Sequence, residues 1–481
     1  MNSRTRFRRT AASTGLAAVL AFATAITGGS PAQAAPLVFE NGGPVTTTGG
    51  DPMHAHGAGV IKEGDYYYMV GEQRIDGGHL FEAVSMYKST DLVNWTHAND
   101  ILTKDSHPDL DPANLERPKV VYNAEYDHYV MWAHKENGVH YGDAEVTVAV
   151  SDTIDGDYTY QGSFRPLGHM SRDLTVYVDD DGSAYLLSAA NENADLNIYR
   201  LTDDYLGVEE LVHSFPWSYR ESPAVFKRNG VYFLMTSGLT GWSPNQQRYA
   251  TTTDFPTGNW SGWQDIGTWN GYDSQTTNVL EVTGSETTSY MYMGDRWAGA
   301  WGGTPNESGY VWLPLRFTSD TSVALDWYPR ISIDTATGVV TGQVGEQTPI
   351  VSRNSGKCVD VAEGSTADGA ALVQNACDGG DGQGWRLQPT WDGYYQIVSA
   401  RSGKCVDLAD ESTANGARVI QWPCNGQYNQ QWELRETDGG HVELVSRYSG
   451  KCLDVNGSST ADAAPLVQWD CWGGPNQQWT V

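Results

Sequence analysis

The chain has 481 residues, too many for one compact core, so two or three domains are expected. Its 59 acidic residues against 30 basic ones give a formal net charge of −29, which argues against a nucleic-acid partner. With 18 Trp and 26 Tyr but only 10 Phe, the aromatics are mostly amphipathic; most should fill a β-rich core, and placed ones offer flat faces to sugars.

In chain order, Arg4, Arg6, Arg8 and Arg9 precede an apolar GLAAVLAFATAI and then Ala32-Gln33-Ala34, the order of a secretory signal with its small-residue cleavage site. The apolar run is shorter than the ~20 residues that span a membrane. Residues 1–34 are therefore read as a signal peptide and the mature chain as secreted, without a membrane partner. The Arg8-Arg9 pair lacks the rest of a twin-arginine motif, so the export route stays open.

Residues 35–335 carry no cysteine and many short apolar runs broken by Gly, Asp and Asn, an all-β signature. Five hairpins are legible, VIKEGDYYYMV, VVYNAEYDHYVMW, TVYVDDDGSAYLL, AVFKRNGVYFLM and VLEVTGSETTSYMYM, each with a tyrosine-rich second run. Tyr67, Tyr129, Tyr185, Tyr232 and Tyr290 mark them at intervals long enough for a four-stranded sheet each, which predicts a five-bladed β-propeller. At the start of the five hairpins stand His56, Glu116, Asp173, Glu221 and Gln275. In a propeller those starts converge on the central channel, the constellation a catalytic site needs. Two or three carboxylates in a sugar-sized pocket suggest glycoside cleavage.

The phrases AHGAGVIKEGDYYYMVGE, ERPKVVYN, SRDLTVYVDDDGSAYL, LTDDYLG, RESPAVF, SGLTGWSPN, DSQTT, MGDRW and YVWLPL resemble glycoside hydrolase family 43, more closely its exo-β-1,3-galactanases. The resemblance implies inverting release of galactose from the β-1,3-galactan backbone of arabinogalactan, with bypass of units that bear side chains. It implies Glu221 as general acid, Asp173 as the carboxylate that tunes and orients it, and Glu116 as a substrate-binding group or alternative base. The family's usual first-strand Asp is missing, since the chain has HAHGAG there; Asp51-Pro52 lies out of register and is read as a decoy. Gln275 then becomes the group that positions the water or activates it as an imidic acid. Glu72, Tyr141, Asn193, Trp242 and Asp295 are expected to hold sugar hydroxyls or stack on a ring. No metal ligand set is identified, His54-x-His56 being too small a cluster. No cofactor is required, and a structural calcium in the channel is left open.

Residues 336–346 are read as a linker to a third region, 347–481. All six cysteines lie there, as Cys358/Cys377, Cys405/Cys424 and Cys452/Cys471, three copies of one unit that read as three disulfides in a secreted chain. The copies agree at SGKCVD, SGKCVD and SGKCLD and close on GQGW, NQQW and NQQW. They resemble a ricin-type β-trefoil, a carbohydrate-binding module of family 13. The resemblance implies sugar sites at Asp407, Trp422, Asn429 and Gln430 and at Asp454, Trp469, Asn476 and Gln477. The first copy keeps Asp360, a further candidate sugar contact, and Gln383, but has Asn375 for the aromatic and Gly382 for the Asn, a departure that leaves a purely structural role open. Trp385, Trp432 and Trp479 are expected in the core. A polysaccharide partner and a monomer are expected. Two other readings stay open: a different family 43 activity, arabinofuranosidase or xylosidase, and a non-catalytic galactan-binding lectin.

Overall fold

A computed structural model describes residues 37–481; the expected signal peptide, 1–34, lies outside them. The described chain is all β, with only short 3-10 turns between strands. None of its helices is long and apolar enough to cross a membrane.

Five antiparallel four-stranded sheets follow one another along the chain. Their first strands are His56–Glu63, Asn114–Asn123, Leu174–Val178, Glu221–Arg228 and Gln275–Thr283. All five marker tyrosines fall on second strands, Tyr66–Arg74, His128–Glu136, Ala184–Ala190, Val231–Ser237 and Thr288–Arg296. These strands recur because each hairpin joins two apolar runs through a polar turn, and second strands such as Ala184–Ala190 and Val231–Ser237 are buried along their whole length.

The apolar cores lie between sheets. Val70, Met86, Leu115 and Met131 join the first to the second, Trp132, Val148, Leu186 and Tyr199 the second to the third. Leu187 meets Leu234 between the third and fourth, and Phe233 meets Leu313 between the fourth and fifth. Met69 and Tyr87 of the first sheet then pack with Met291 and Trp312 of the fifth, so the ring of cores closes.

The closure has its own device. Leu37–Glu40 pairs with Arg330–Asp334, which pairs with Val339–Gln343, in a separate three-stranded sheet. Phe39 from this sheet stacks on Trp312 with ring centroids 4.2 Å apart. The stretch expected as linker, 336–346, thus contributes a strand; Val340 is buried in the same core as Phe39, which gives it a reason to be ordered.

Beyond it, the three disulfides form as Cys358–Cys377, Cys405–Cys424 and Cys452–Cys471. Trp385, Trp432 and Trp479 are fully buried in one core with Leu372, Val419 and Leu466. Each indole donates to the carbonyl of a strand residue 26 positions earlier, Val359, Val406 and Leu453 in turn. Trp432→Ala should therefore cost about 3–5 kcal/mol of trefoil stability, measured by chemical denaturation; a loss under about 1 kcal/mol would contradict a tightly packed core at that indole.

Candidate active site

Where the first strands begin, the backbone departs from a regular ladder. Register shifts follow His56, Glu116, Glu221 and Thr276, in four of the five sheets. Bulges of this kind re-aim side chains near functional sites. Arg117 (φ 53°) and Ser222 (φ 54°) hold the left-handed conformation that non-glycine residues avoid. The bulge after Glu116 lets that residue and Arg117 both face the cavity, which a regular strand would forbid. Gly57 (φ +64°) lies beneath; a Cβ there would stand 2.8 Å from the Arg117 Cα.

The result is a cavity of about 260 Å³ lined by Glu72, Arg74, Glu116, Arg117, His134, Tyr141, Arg172, Asp173, Asn193, Glu221, Trp242, Gln275 and Trp297. Glu116, Asp173, Glu221 and Gln275 are brought together as expected from the sequence. His56 is not among the lining residues: it is buried, its Nδ1 3.1 Å from Asp295 Oδ1. Asp295 departs from expectation as well. It is 1% exposed, and its Oδ2 accepts from the Gly57 amide at 2.7 Å, so both oxygens serve the junction between first and fifth sheets instead of the main cavity. Asp51, the decoy, is exposed and outside the cavity.

Glu221 is buried and accepts from Gln275 Nε2 at 3.1 Å and Asn193 Nδ2 at 3.2 Å. Burial, and then the neighbouring Asp173 carboxylate, push its carboxyl up to about 8. Asp173 Oδ2 lies 2.9 Å from Arg117 Nε and accepts from Ser222 Oγ at 2.9 Å. The Gln275 amide has every role filled. Its Oε1 accepts from Arg117 Nη2 at 2.6 Å and Trp297 Nε1 at 2.8 Å, and its Nε2 also donates to Ser237 Oγ at 2.9 Å. Arginine and indole can only donate, so the amide's orientation is fixed.

On the opposite wall, Glu116 accepts from Arg74 Nη2 at 3.0 Å and from Tyr141 at 2.6 Å, with His134 Nδ1 3.2 Å away. Burial pushes its carboxyl up, but His134 and Arg74 outweigh burial and hold it well below the usual carboxylate range. His134 sits between Glu116 and Glu136; against the cost of burial, their hydrogen bonds raise it to about 9. Glu72, paired with Arg74, is lifted by burial to about 7. The pocket therefore sorts its carboxyls: Glu221 is held protonated near neutrality and Glu116 ionised, the division of labour an acid-catalysed cleavage requires. Trp242 and Tyr141 are 41% and 42% exposed at the cavity, Trp242 packing edge-on to Trp297 at 5.2 Å.

Arg117, Arg74, His134, Arg172 and Trp297 were not singled out from sequence. Their signal was proximity: Arg117 follows Glu116 in ERPK, and Trp297 closes GDRW. Glu116, His134 and Asp173 offer ligand atoms within 4.8 Å of one another, yet Arg74, Tyr141 and Arg117 already engage the carboxylates, and no metal is assigned there.

In the trefoil, Asp407 Oδ2 accepts from Asn429 at 3.1 Å and Gln430 at 2.8 Å beside the exposed Trp422. Asp454 Oδ2 repeats this with Asn476 at 2.9 Å and Gln477 at 2.8 Å beside exposed Trp469. Burial raises both carboxyls, Asp407 to about 6. In the first copy Asn375 and Gln383 fill Asp360 Oδ2 and no aromatic stands at the site.

Fold and pocket together define a propeller glycosidase with an appended sugar-binding trefoil. Residues 51–299 match glycosyl hydrolases family 43 and residues 346–479 the ricin-type β-trefoil lectin domain. The chain belongs to glycosyl hydrolase family 43, and is thus a glycoside hydrolase and not a lectin alone. An exo-β-1,3-galactanase from Clostridium thermocellum is 45% identical, with TM-score 0.75, over 92% of this chain and 99% of that one. One from Phanerochaete chrysosporium, solved as a variant with β-1,3-galactotriose, is 27% identical, with TM-score 0.63, over 90% and 100%. A β-D-galactofuranosidase of Aspergillus niger is 26% identical over 209 residues, 39% of this chain; the chain spans 60% of that relative's length.

Arg117→Met leaves Asp173 and the Gln275 oxygen without their cation in a buried setting. It should lower the unfolding free energy by about 3–5 kcal/mol, read by denaturant titration; a change below about 1 kcal/mol would contradict the organising role given to this guanidinium.

Proposed function

We propose that the protein is a secreted exo-β-1,3-galactanase that releases galactose, and galactose oligomers bearing side chains, from the β-1,3-galactan backbone of arabinogalactan with inversion. The observation that carries this is the pairing of a desolvated Glu221 with Gln275 in a cavity where the innermost strand of the first sheet begins with His56, turned away, in place of a carboxylate. That pattern sets the chain apart from an Asp-based family 43 site, and the similar solved structures include exo-β-1,3-galactanases.

In the proposed reaction Glu221 gives its proton to the glycosidic oxygen as that C–O bond breaks, water attacks the anomeric carbon from the opposite face, and the proton the water sheds passes to solvent, from which Glu221 is reprotonated. Asp173 keeps Glu221 protonated and aligned. Gln275 positions the water. Its Oε1 already accepts from two obligate donors, which argues against an imidic O–H on that atom. The Nε2 bond to Glu221 is the one that substrate would displace, freeing an N–H for the water. Glu116, ionised, accepts from a sugar hydroxyl, as do Glu72 and Asn193; Trp242 and Tyr141 flank the ring.

The closed ring of five cores supports a five-bladed propeller, and we read the chain as a catalytic propeller, a junction near 336–346 and a trefoil. The second and third trefoil copies are the proposed sugar sites, which would concentrate the enzyme on polysaccharide. Three disulfides support an extracellular setting.

Galactose release from de-branched β-1,3-galactan, followed by chromatography, should fall by about 10²-fold or more in Glu221→Gln; arabinose or xylose release without galactose would overturn the substrate. Because the acid must be protonated, kcat/KM should fall as pH rises through about 8, and Asp173→Asn, which removes the like charge, should move that limb to lower pH. An alkaline limb unmoved by Asp173→Asn would contradict the tuning role.

A further inference from the structure

We propose that Trp391, at the tip of a trefoil hairpin, is a positioning residue for the catalytic centre, so that the trefoil completes the site as well as holding polysaccharide. The kinetic consequence rests on the reaction proposed above; the structural one does not.

Trp391 lies in the turn between strands Trp385–Pro389 and Tyr395–Ser399. Its indole Nε1 donates to Asp273 Oδ2 at 2.7 Å, across to the propeller. Its ring covers one side of the Arg296 guanidinium, which also lies 4.3 Å from the Trp301 ring, and the two indoles are 5.0 Å apart. Arg296 is buried, with Nε and Nη2 lacking any hydrogen-bond partner, so aromatic faces supply much of its company.

Both propeller partners flank the pocket. Asp273 precedes Gln275 by two residues, and Arg296 precedes Trp297, whose indole donates to Gln275 Oε1. One trefoil side chain thus grips the two segments that fix the Gln275 amide. The first of these segments needs gripping: Tyr272 (φ 57°) and Asp273 (φ 58°) are consecutive non-glycine residues in the left-handed region. Such backbone persists only where its surroundings over-determine it. Asp273 receives Asn270 Nδ2 at 2.7 Å on its other oxygen, so Trp391 completes its pairing.

The repeat itself argues that this tryptophan is not there for the trefoil. In the next copy the matching turn runs from Thr437 to His441, with Asp438 in place of Trp391. Both turns close alike: Thr390 N donates to Tyr394 O at 2.7 Å and Thr437 N to His441 O at 2.8 Å. The turn forms without the indole, and the indole occurs at the turn that reaches Asp273 of the propeller.

The test uses the full chain. Trp391→Phe keeps a ring over Arg296 and loses the N–H. Its kcat on β-1,3-galactobiose should drop by about 10-fold with KM nearly unchanged, since a small misplacement of a reacting group is enough. Hydrogen exchange of the Trp297 indole N–H, followed by NMR, should speed up by a similar factor. Asp273→Ala should reproduce both effects from the propeller side, and Asp273→Asn, which keeps one acceptor for the two donors Asn270 Nδ2 and Trp391 Nε1, should reproduce part of each. Asp438→Ala, at the matching turn, should change neither. Unchanged kcat and unchanged exchange in Trp391→Phe and Asp273→Ala would overturn the inference. Wild-type protein inactive on galactobiose would count against the proposed reaction, and the exchange measurement would still decide the role of Trp391.

Discussion

The site hangs on one buried cation. Arg117 holds Asp173 at 2.9 Å through Nε and the Gln275 oxygen at 2.6 Å through Nη2, and these are the two groups that set the environment of Glu221. A planar guanidinium can serve both at once because its donors form a rigid fork. Without it, Asp173 and Glu221 would be two carboxyls in a desolvated space with Arg220 as the cation left to act on Glu221. With it, Asp173 stays available as the negative neighbour that keeps the Glu221 proton on. Arg117 reaches this position only through a left-handed backbone and a bulge, so the strand gives up regularity to deliver it.

The same compromise recurs around the ring. Bulges interrupt the ladder at the starts of four first strands, and at three of them, beside Glu116, Glu221 and Gln275, the side chains there line the cavity; the closed set of inter-sheet cores supplies the rigidity that tolerates them. The fifth sheet is tied to the first by His56–Asp295 and by the three-stranded sheet that joins residues 37–40 to 330–343. Lys119, buried and lowered to about 7 by burial and by Arg117, donates to the Gly57 carbonyl at 2.6 Å. The polar centre is therefore supported by groups that never face substrate.

Much of this was legible from residues alone, for physical reasons. The tyrosine-rich second strands stood out because short apolar runs on either side of a tight polar turn leave a local signature. The trefoil was plainer still, since three copies repeat cysteines and closing tryptophans at fixed spacing. The starts of the hairpins gave Glu116, Asp173, Glu221 and Gln275. What sequence did not give is what depends on bulges and on contacts between distant segments. Arg117 looked like the neighbour of Glu116 on an alternating strand, pointing elsewhere. Asp295 looked like a sugar ligand, and only its bonds to His56 and Gly57 explain why it faces inward while Trp297 reaches Gln275. The N-terminal strand pairs with residues nearly 300 positions away, which no local pattern announces.

The central claim is that Glu221 carries its proton at neutral pH because of where it sits. Its direct test is a titration of the Glu221 carboxyl by carbon NMR in protein labelled at glutamate, with Glu221→Gln assigning the resonance. The account predicts a midpoint near 8. A midpoint in the ordinary range of an exposed glutamate, near 4.5, would contradict it and would leave the pocket without its acid.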